Sequence, residues 1–334
     1  MTIGKPDDAG ERRDAARAAV RRAVRAAAGL AGENDVAVVE AGAFAELEPL
    51  EVLRELDALL TASRPAAGLD HLRRSGALAA LLPEVQALVG LHEDTVRPQG
   101  RREGYAHKDV WAHTCTVVEQ AEPTRRLRWA ALLHDIGKAR TRSVAPDGTV
   151  HFLGHAEVGA RMTRRILRRL GMPAEDAAAV RFLVLHHLRA SQYDRSWTDS
   201  AVRRFAREME EHLDELLLLS RADITTQRAA RRSAGLAALD ELARRVRELR
   251  ELDARPVLLP KGLGTALIEA FGLAPGPLVG RLRTAVEQAV ERGELPMQAE
   301  ADVYVAWARE RLADLLAAPA PDGRPEPGPP KPDG

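Results

Sequence analysis

The 334-residue sequence predicts an all-α protein. Two observations carry that expectation. Ala, Leu and Arg dominate while aromatic residues make up only 4% of the chain, a composition that favours helices over sheets. Leucines then recur at helical spacing in segment after segment, and short clusters of Pro and Gly separate the segments. The apolar share of 45% is that of a globular protein, and the length suffices for one large domain or two smaller ones. Formal charge is zero, so bulk charge demands no nucleic-acid partner, although local basic clusters can still hold phosphate.

Taken in order, residues 1–10 read as disordered. Residues 11–29 alternate Ala with Arg (Arg12, Arg13, Arg17, Arg21, Arg22, Arg25) and predict a helix with a broad basic face. That face is either solvated, with packing through Ala, Val20 and Val24, or in contact with RNA. The run Val36–Val39 is too isolated to predict a sheet. Over 48–61, Leu50, Leu53, Leu56, Leu59 and Leu60 lie at helical spacing. Pro65 and Gly68 break the run, Leu69, Leu72 and Leu78 continue it in a second helix, and Leu81–Val85 opens a third.

Further helices are predicted at about 109–121, 125–138, 155–170, 174–188 and 198–209, with a loop over 139–154. Thr198 or Asp199 is the N-cap expected for the last of these. A helix at 212–226 carries Leu216, Leu219 and Asp223 on one stripe, which turns Asp223 inward. A lone carboxylate there is costly, so a cation is expected beside it. Helices at 229–252, 264–271, 278–292 and 298–316 follow, and the chain after Ala317 is a Pro- and Gly-rich tail without a core.

Cys115, the single cysteine, excludes an internal disulfide and a Cys-rich zinc site. No apolar run approaches membrane-spanning length. Asp7, Asp8 and Glu11 argue against a transit peptide, and a reducing, cytoplasmic compartment is expected.

The chemistry lies between His107 and Asp223. Seven of the ten histidines fall between His107 and His187, and the doublet His134-Asp135 stands inside Leu132-Leu133-His134-Asp135-Ile136-Gly137-Lys138. A divalent first-row cation takes imidazole nitrogen and carboxylate oxygen together. Being adjacent, His134 and Asp135 cannot point the same way on an ideal helix. They can grip one ion from a helix end, or Asp135 can bridge two. His113 and Asp223 would complete a first site, and His155 and His187 a second. Two ions would clamp a phosphate, and a single ion would still activate water. Manganese, nickel, cobalt, iron and magnesium all suit such donors. Asp135 and Lys138 are the catalytic candidates, with Lys138 expected at i+4 on the helix face of His134, where it would neutralise a phosphate oxygen. His107, Arg189, Arg203 and Arg204 are candidates for holding an anionic substrate. The blander reading of Arg203 and Arg204, solvated helix arginines, stands beside it. His71, His92, His151 and His212 are read as structural.

The order His113, His134-Asp135, Asp223 resembles the H…HD…D pattern of the HD superfamily of metal-dependent phosphohydrolases. Several segments also resemble the body of bacterial CCA-adding tRNA nucleotidyltransferases that carry an HD domain. They include Arg64-Pro65-Ala66-Ala67-Gly68-Leu69, His107-Lys108-Asp109-Val110-Trp111, Gly154-His155-Ala156-Glu157-Val158-Gly159-Ala160 and Trp197–Phe205. Arg221-Ala222-Asp223-Ile224-Thr225-Thr226 and Phe271-Gly272-Leu273 with Pro275-Gly276-Pro277 belong with them. The likeness runs in order over roughly 47–316. It implies an HD-domain helical bundle extended by N-terminal helical hairpins and a C-terminal helical tail domain. The divisions expected are an extension at 1–46, a neck at 47–104, the HD domain at 105–228, the tail domain at 229–317 and a disordered end at 318–334.

No Asp-x-Asp occurs in the first hundred residues, where the family's nucleotidyltransferase head would carry one, so CCA addition is not expected of these residues. The HD part implies phosphatase or cyclic phosphodiesterase activity on nucleotides or RNA ends. It also favours His187 over His186, because His187 directly precedes Leu188-Arg189 as in the relatives. The expected partners are a nucleotide or an RNA end, with tRNA among them. The alternatives are a tRNA- or nucleotide-binding module and a head-less subunit of a split nucleotidyltransferase.

Overall fold

The structure, a computed structural model, describes residues 8–32, 36–93, 108–146 and 148–317. The expectations for residues 1–7, for His107 and for the Pro-rich end lie outside them. Contacts divide the chain into two compact units, residues 1–250 and 251–334.

Helix α1 (Asp8–Ala27) begins inside the stretch expected to be disordered. Its inner face is almost all alanine, with Ala16, Ala19, Ala23 and Ala27 buried beside Val20. Small side chains let α3 (Pro49–Thr61) and α4 (Pro65–Arg74) pack closely on it. Two of its arginines, Arg17 and Arg21, are drawn to Glu51 and Glu55 of α3.

Between these helices lies α2 (Ala41–Phe44); α5 (Ala77–Leu81) and α6 (Pro83–Gln86) follow. Proline opens α3, α4 and α6, where its missing N–H costs nothing. Two expectations need correction here. Leu50 is 54% exposed, because the buried stripe of α3 runs through Val52, Leu53, Leu56, Leu59 and Leu60. The second helix is two, because the chain turns at Ser75-Gly76, with Gly76 at a φ of +83°.

The middle of the first unit is built around α8 (Arg125–Leu133), whose residues from Leu127 to Leu133 are all buried. It packs on α3, on α7 (Val110–Gln120), on α11 (Ala174–Ser191) and on α13 (Leu213–Asp223). Asp109 caps α7 and Thr124 caps α8. The helix expected to run to residue 138 ends at Leu133. A turn carries the chain through Ile136 to a short α9 (Lys138–Thr141). The stretch expected as a loop folds partly into a small antiparallel ladder, β3 (Ser143–Val144) with β4 (Val150–His151). Another pairs β1 (His92–Glu93) with β2 (Lys108–Asp109). Helix α10 (His155–Leu170) follows Gly154 and ends at Gly171, whose φ of +76° closes a C-cap with Met172 N–H on Leu167 O. Then come α12 (Asp199–Met209), capped by the Thr198 hydroxyl on Ala201 N–H, and α14 (Ala229–Ala254).

One polar clamp fixes α3 against α8. Asp57 accepts from Trp129 Nε1 at 2.7 Å and from Arg125 at 2.6 Å. The Trp129 ring is fully buried. Asp57→Ala strands that N–H and loses a charge-assisted bond, so a cost of about 2–3 kcal/mol is expected, read as a lower urea midpoint. An unchanged midpoint would show the clamp to be idle.

The second unit has its own core, with Leu263 and Leu267 of α15 (Leu263–Phe271), Leu282 and Val286 of α16 (Pro277–Glu291), and Tyr304 and Ala308 of α17 (Ala301–Arg311). The buried Tyr304 hydroxyl donates to Pro296 O and accepts from Ala299 N–H. The helix expected over 298–316 starts later and breaks at Leu312, which separates α17 from α18 (Ala313–Ala317).

Candidate metal centre

Four helices and one turn deliver the histidines and acids to one place. His113 comes from the first turn of α7, His134 and Asp135 from the turn that ends α8, His155 from the first residue of α10, His187 from α11 and Asp223 from the last residue of α13. The doublet thus stands just past a helix end, where its two adjacent side chains can face the same place. Two trios of donor atoms form, His113-His134-Asp135 and Asp135-His155-His187. Each trio's donor atoms lie within 4.8 Å of one another.

Asp135 belongs to both. Its Oδ2 stands 3.2 Å from His134 Nε2 and 3.6 Å from His113 Nε2. Its Oδ1 stands 3.5 Å from His155 Nε2 and 3.9 Å from His187 Nε2. Asp223 joins the first trio, with Oδ1 at 3.0 Å from His113 Nε2 and 3.6 Å from His134 Nε2. His113, His134, Asp135 and His187 are buried. The side chain of Asp223 is 29% exposed and that of His155 12%, so the centre opens to solvent on their side.

The ring orientations are set from behind. His134, His155 and His187 each hold Nδ1 at 2.8 Å from the backbone carbonyl three residues earlier, those of Ala131, Phe152 and Val184. A carbonyl only accepts, so Nδ1 carries a proton in each ring and Nε2 is the nitrogen turned into the centre. His113 is different, because its Nδ1 meets the Thr225 hydroxyl at 3.0 Å.

Charge is arranged to suit a cation. Burial alone would raise the Asp135 carboxyl, but His134 and Lys138 outweigh it and hold the group well below the usual carboxylate range. Asp223 is lowered too, against burial, by the His113 bond and His134. Burial would lower His134, but Asp135 and Asp223 push it up to about 9. Burial and the neighbouring His134 push His187 down to about 4, which keeps its ring neutral.

The remaining candidates sort out as follows. Lys138 does not share a helix with His134, since α8 stops at Leu133. It opens α9 at i+3 from Asp135 and donates to Asp135 Oδ2 at 2.8 Å, with its ammonium 5.6 Å from the centre of the Phe152 ring. His187 enters the cluster, while the His186 ring stacks on Phe182 at 4.4 Å. Arg189 is ion-paired with Glu208 at 2.5 Å. Arg203 is half-buried and Arg204 exposed on α12. His71, His92, His151 and His212 lie in neither trio.

Two partners carried no role in the sequence reading. Thr225 has only its place two residues after Asp223 to signal it. Gly137 sits where the turn touches α10.

Comparison with known proteins fits this geometry. Residues 109–227 match the HD domain family, and the match spans His113, His134-Asp135, His155, His187 and Asp223. The chain carries an HD domain. The similarity extends beyond that domain. An A-adding tRNA nucleotidyltransferase of Deinococcus radiodurans is 37% identical over 77% of this chain and 58% of its own length. A CC-adding tRNA nucleotidyltransferase of Thermus thermophilus is 34% identical over 80% of this chain and 59% of its own. A multifunctional CCA protein of Nitrosococcus oceani is 36% identical over 46% of this chain and 36% of its own. The chain therefore spans somewhat over half the length of the first two relatives. Among the described residues no helix is long and apolar enough to cross a membrane.

Proposed function

We propose that the HD domain hydrolyses a phosphoester of a nucleotide or an RNA 3′ end, with divalent cations held by His113, His134, Asp135 and Asp223 and by Asp135, His155 and His187. The observation that carries this reading is Asp135, a buried carboxylate with one oxygen toward each histidine pair. The donor set fits a first-row divalent ion, being imidazole and carboxylate without thiolate. Bound there, such an ion supplies Lewis acidity toward a phosphoryl oxygen and a water acidified toward neutrality.

The chain's own part is placement. The three backbone carbonyls and Thr225 hold the rings in register, and Lys138 holds Asp135 while adding positive charge beside the centre. Arg189 would exchange Glu208 for a substrate phosphate, with His107, Arg203 and Arg204 as further substrate-holding residues. An RNA end, tRNA among them, is the favoured substrate class, because the relatives are named for tRNA and the likeness covers 77–80% of this chain.

The same likeness favours a second reading, in which these residues serve as the RNA-binding body of a nucleotide-adding enzyme, or as one subunit of a split one. One assay separates the two. Purified protein is given manganese, nickel, cobalt or magnesium with bis-p-nitrophenyl phosphate or 2′,3′-cyclic AMP, beside Asp135→Ala. Metal-dependent turnover that the variant loses is expected. Equal background in both proteins would leave the second reading, which filter binding to tRNA then tests.

A further inference from the structure

The exposed face of α10 is a row of arginines, with Arg161, Arg164, Arg165, Arg168 and Arg169 all exposed. Arg161 and Arg165 meet Arg140 of α9 around a cleft of about 390 Å³, whose other lining residues are Glu84, Val158 and Met162. Glu84, the acid in that cleft, is already neutralised. Arg169 takes both its oxygens, at 2.6 and 2.9 Å, and also donates to Leu81 O.

Elsewhere in this unit arginines find acids: Arg17 has Glu51, Arg125 and Arg126 share Asp176, and Arg245 has Asp199. Arg161 and Arg165 make no ion pair with an acid among the described residues, and Arg140 makes none of its own although its charge reaches Glu84 across the cleft. Arg161 and Arg165 stand at i and i+4, a spacing at which like charges repel. Three guanidinium groups around one concavity, whose single lining acid is already held by Arg169, raise the local concentration of anions.

We infer that this cleft binds the backbone phosphates of an RNA strand whose end reaches the metal centre. Two features favour a strand over a single phosphate. The arginine row from Arg161 to Arg168 covers about 10 Å of helix axis, longer than one phosphate group needs. The cleft also begins beside the centre, since Val158 is one turn along α10 from His155 and Arg140 is two residues from Lys138. Arginine suits the task because its planar fork matches phosphate oxygens in pairs. The direction of the strand rests on the hydrolytic reading above. The phosphate contact itself does not.

The test is fluorescence anisotropy of a labelled RNA hairpin with a single-stranded 3′ end, in EDTA, at several KCl concentrations between 50 and 200 mM. Arg161→Ala/Arg165→Ala and Arg161→Gln/Arg165→Gln are compared with wild type and with Arg247→Ala on the exposed face of α14. Each double variant is expected to weaken binding about tenfold and to flatten the slope of log K against log salt by about 1.4. Thermal midpoints within a degree or so of wild type confirm that folding is intact. Wild-type affinity and slope in both double variants, or an equal loss in Arg247→Ala, would overturn the proposal. Turnover of bis-p-nitrophenyl phosphate, which has no strand to hold, is expected to stay unchanged in the double variants. A wild-type protein that binds RNA in this way but hydrolyses nothing would sink the metal-centre reading alone.

Discussion

Asp135→Asn is expected to empty both halves of the metal centre at once and to lower hydrolysis about a thousandfold, the equivalent of several kcal/mol of lost charge stabilisation. The reason is the sharing. Oδ2 serves His113 and His134, and Oδ1 serves His155 and His187, so a single neutralised carboxyl weakens both trios. His187→Ala removes a donor from one trio only. Elemental analysis after gel filtration should therefore find metal lost from both positions in Asp135→Asn and from one in His187→Ala. The amide also keeps an oxygen for Lys138, which is buried and donates to Asp135 at 2.8 Å. Asp135→Ala removes the carboxylate from that buried pair, and breaking a buried pair costs about 3–5 kcal/mol. Comparing the urea midpoints of the two variants separates metal loss from instability. Retention of wild-type metal content by Asp135→Asn would refute the shared-carboxylate arrangement.

Much of this centre was legible in the sequence, because its signal is chemical and its spacing is carried by regular helices. His113 follows the Asp109 cap of α7 and His155 follows Gly154 at the start of α10, while Asp223 ends α13 with no glycine beside it. What was not legible has a common cause in burial. The stretch from Leu127 through Ile136 is buried throughout, Arg128, His134 and Asp135 included, so helical periodicity cannot report where α8 stops and the turn begins. The expected placement of Lys138 beside His134 failed with that boundary, and its partner is Asp135 instead. Leu50 fails for the opposite reason, since a leucine at helical spacing is no guarantee of a neighbour to cover it. Contacts between distant residues leave no local trace either. Asp57 reaches Trp129 across 72 positions and Arg189 finds Glu208 across 19. The carbonyls of Ala131, Phe152 and Val184 orient three histidines without any side-chain signature.

Gly137→Ala is expected to do nearly as much damage as loss of a ligand, although the residue carries no functional group. Its φ of −67° and ψ of −21° are ordinary helical values, so conformation does not demand glycine here. Space does. A Cβ at this position would lie 2.0 Å from the His155 carbonyl oxygen and 2.8 Å from Gly159 N, and both of those atoms are backbone. Neither can rotate aside, so the turn and the first turn of α10 must separate. That movement carries His155 off Asp135 Oδ1, where the distance is already 3.5 Å. A loss of about 1–3 kcal/mol or more is expected, because forced expansion of a packed contact is felt directly. Metal bound through His155 and His187 should go first, with the His113, His134 and Asp223 side affected less. Gly159→Ala is the control, since its Cβ would come no nearer than 3.4 Å to Gly137 N and Val184, and only a small shift is expected. If Gly137→Ala keeps the wild-type midpoint and metal content, the close approach of turn to helix is not what places His155.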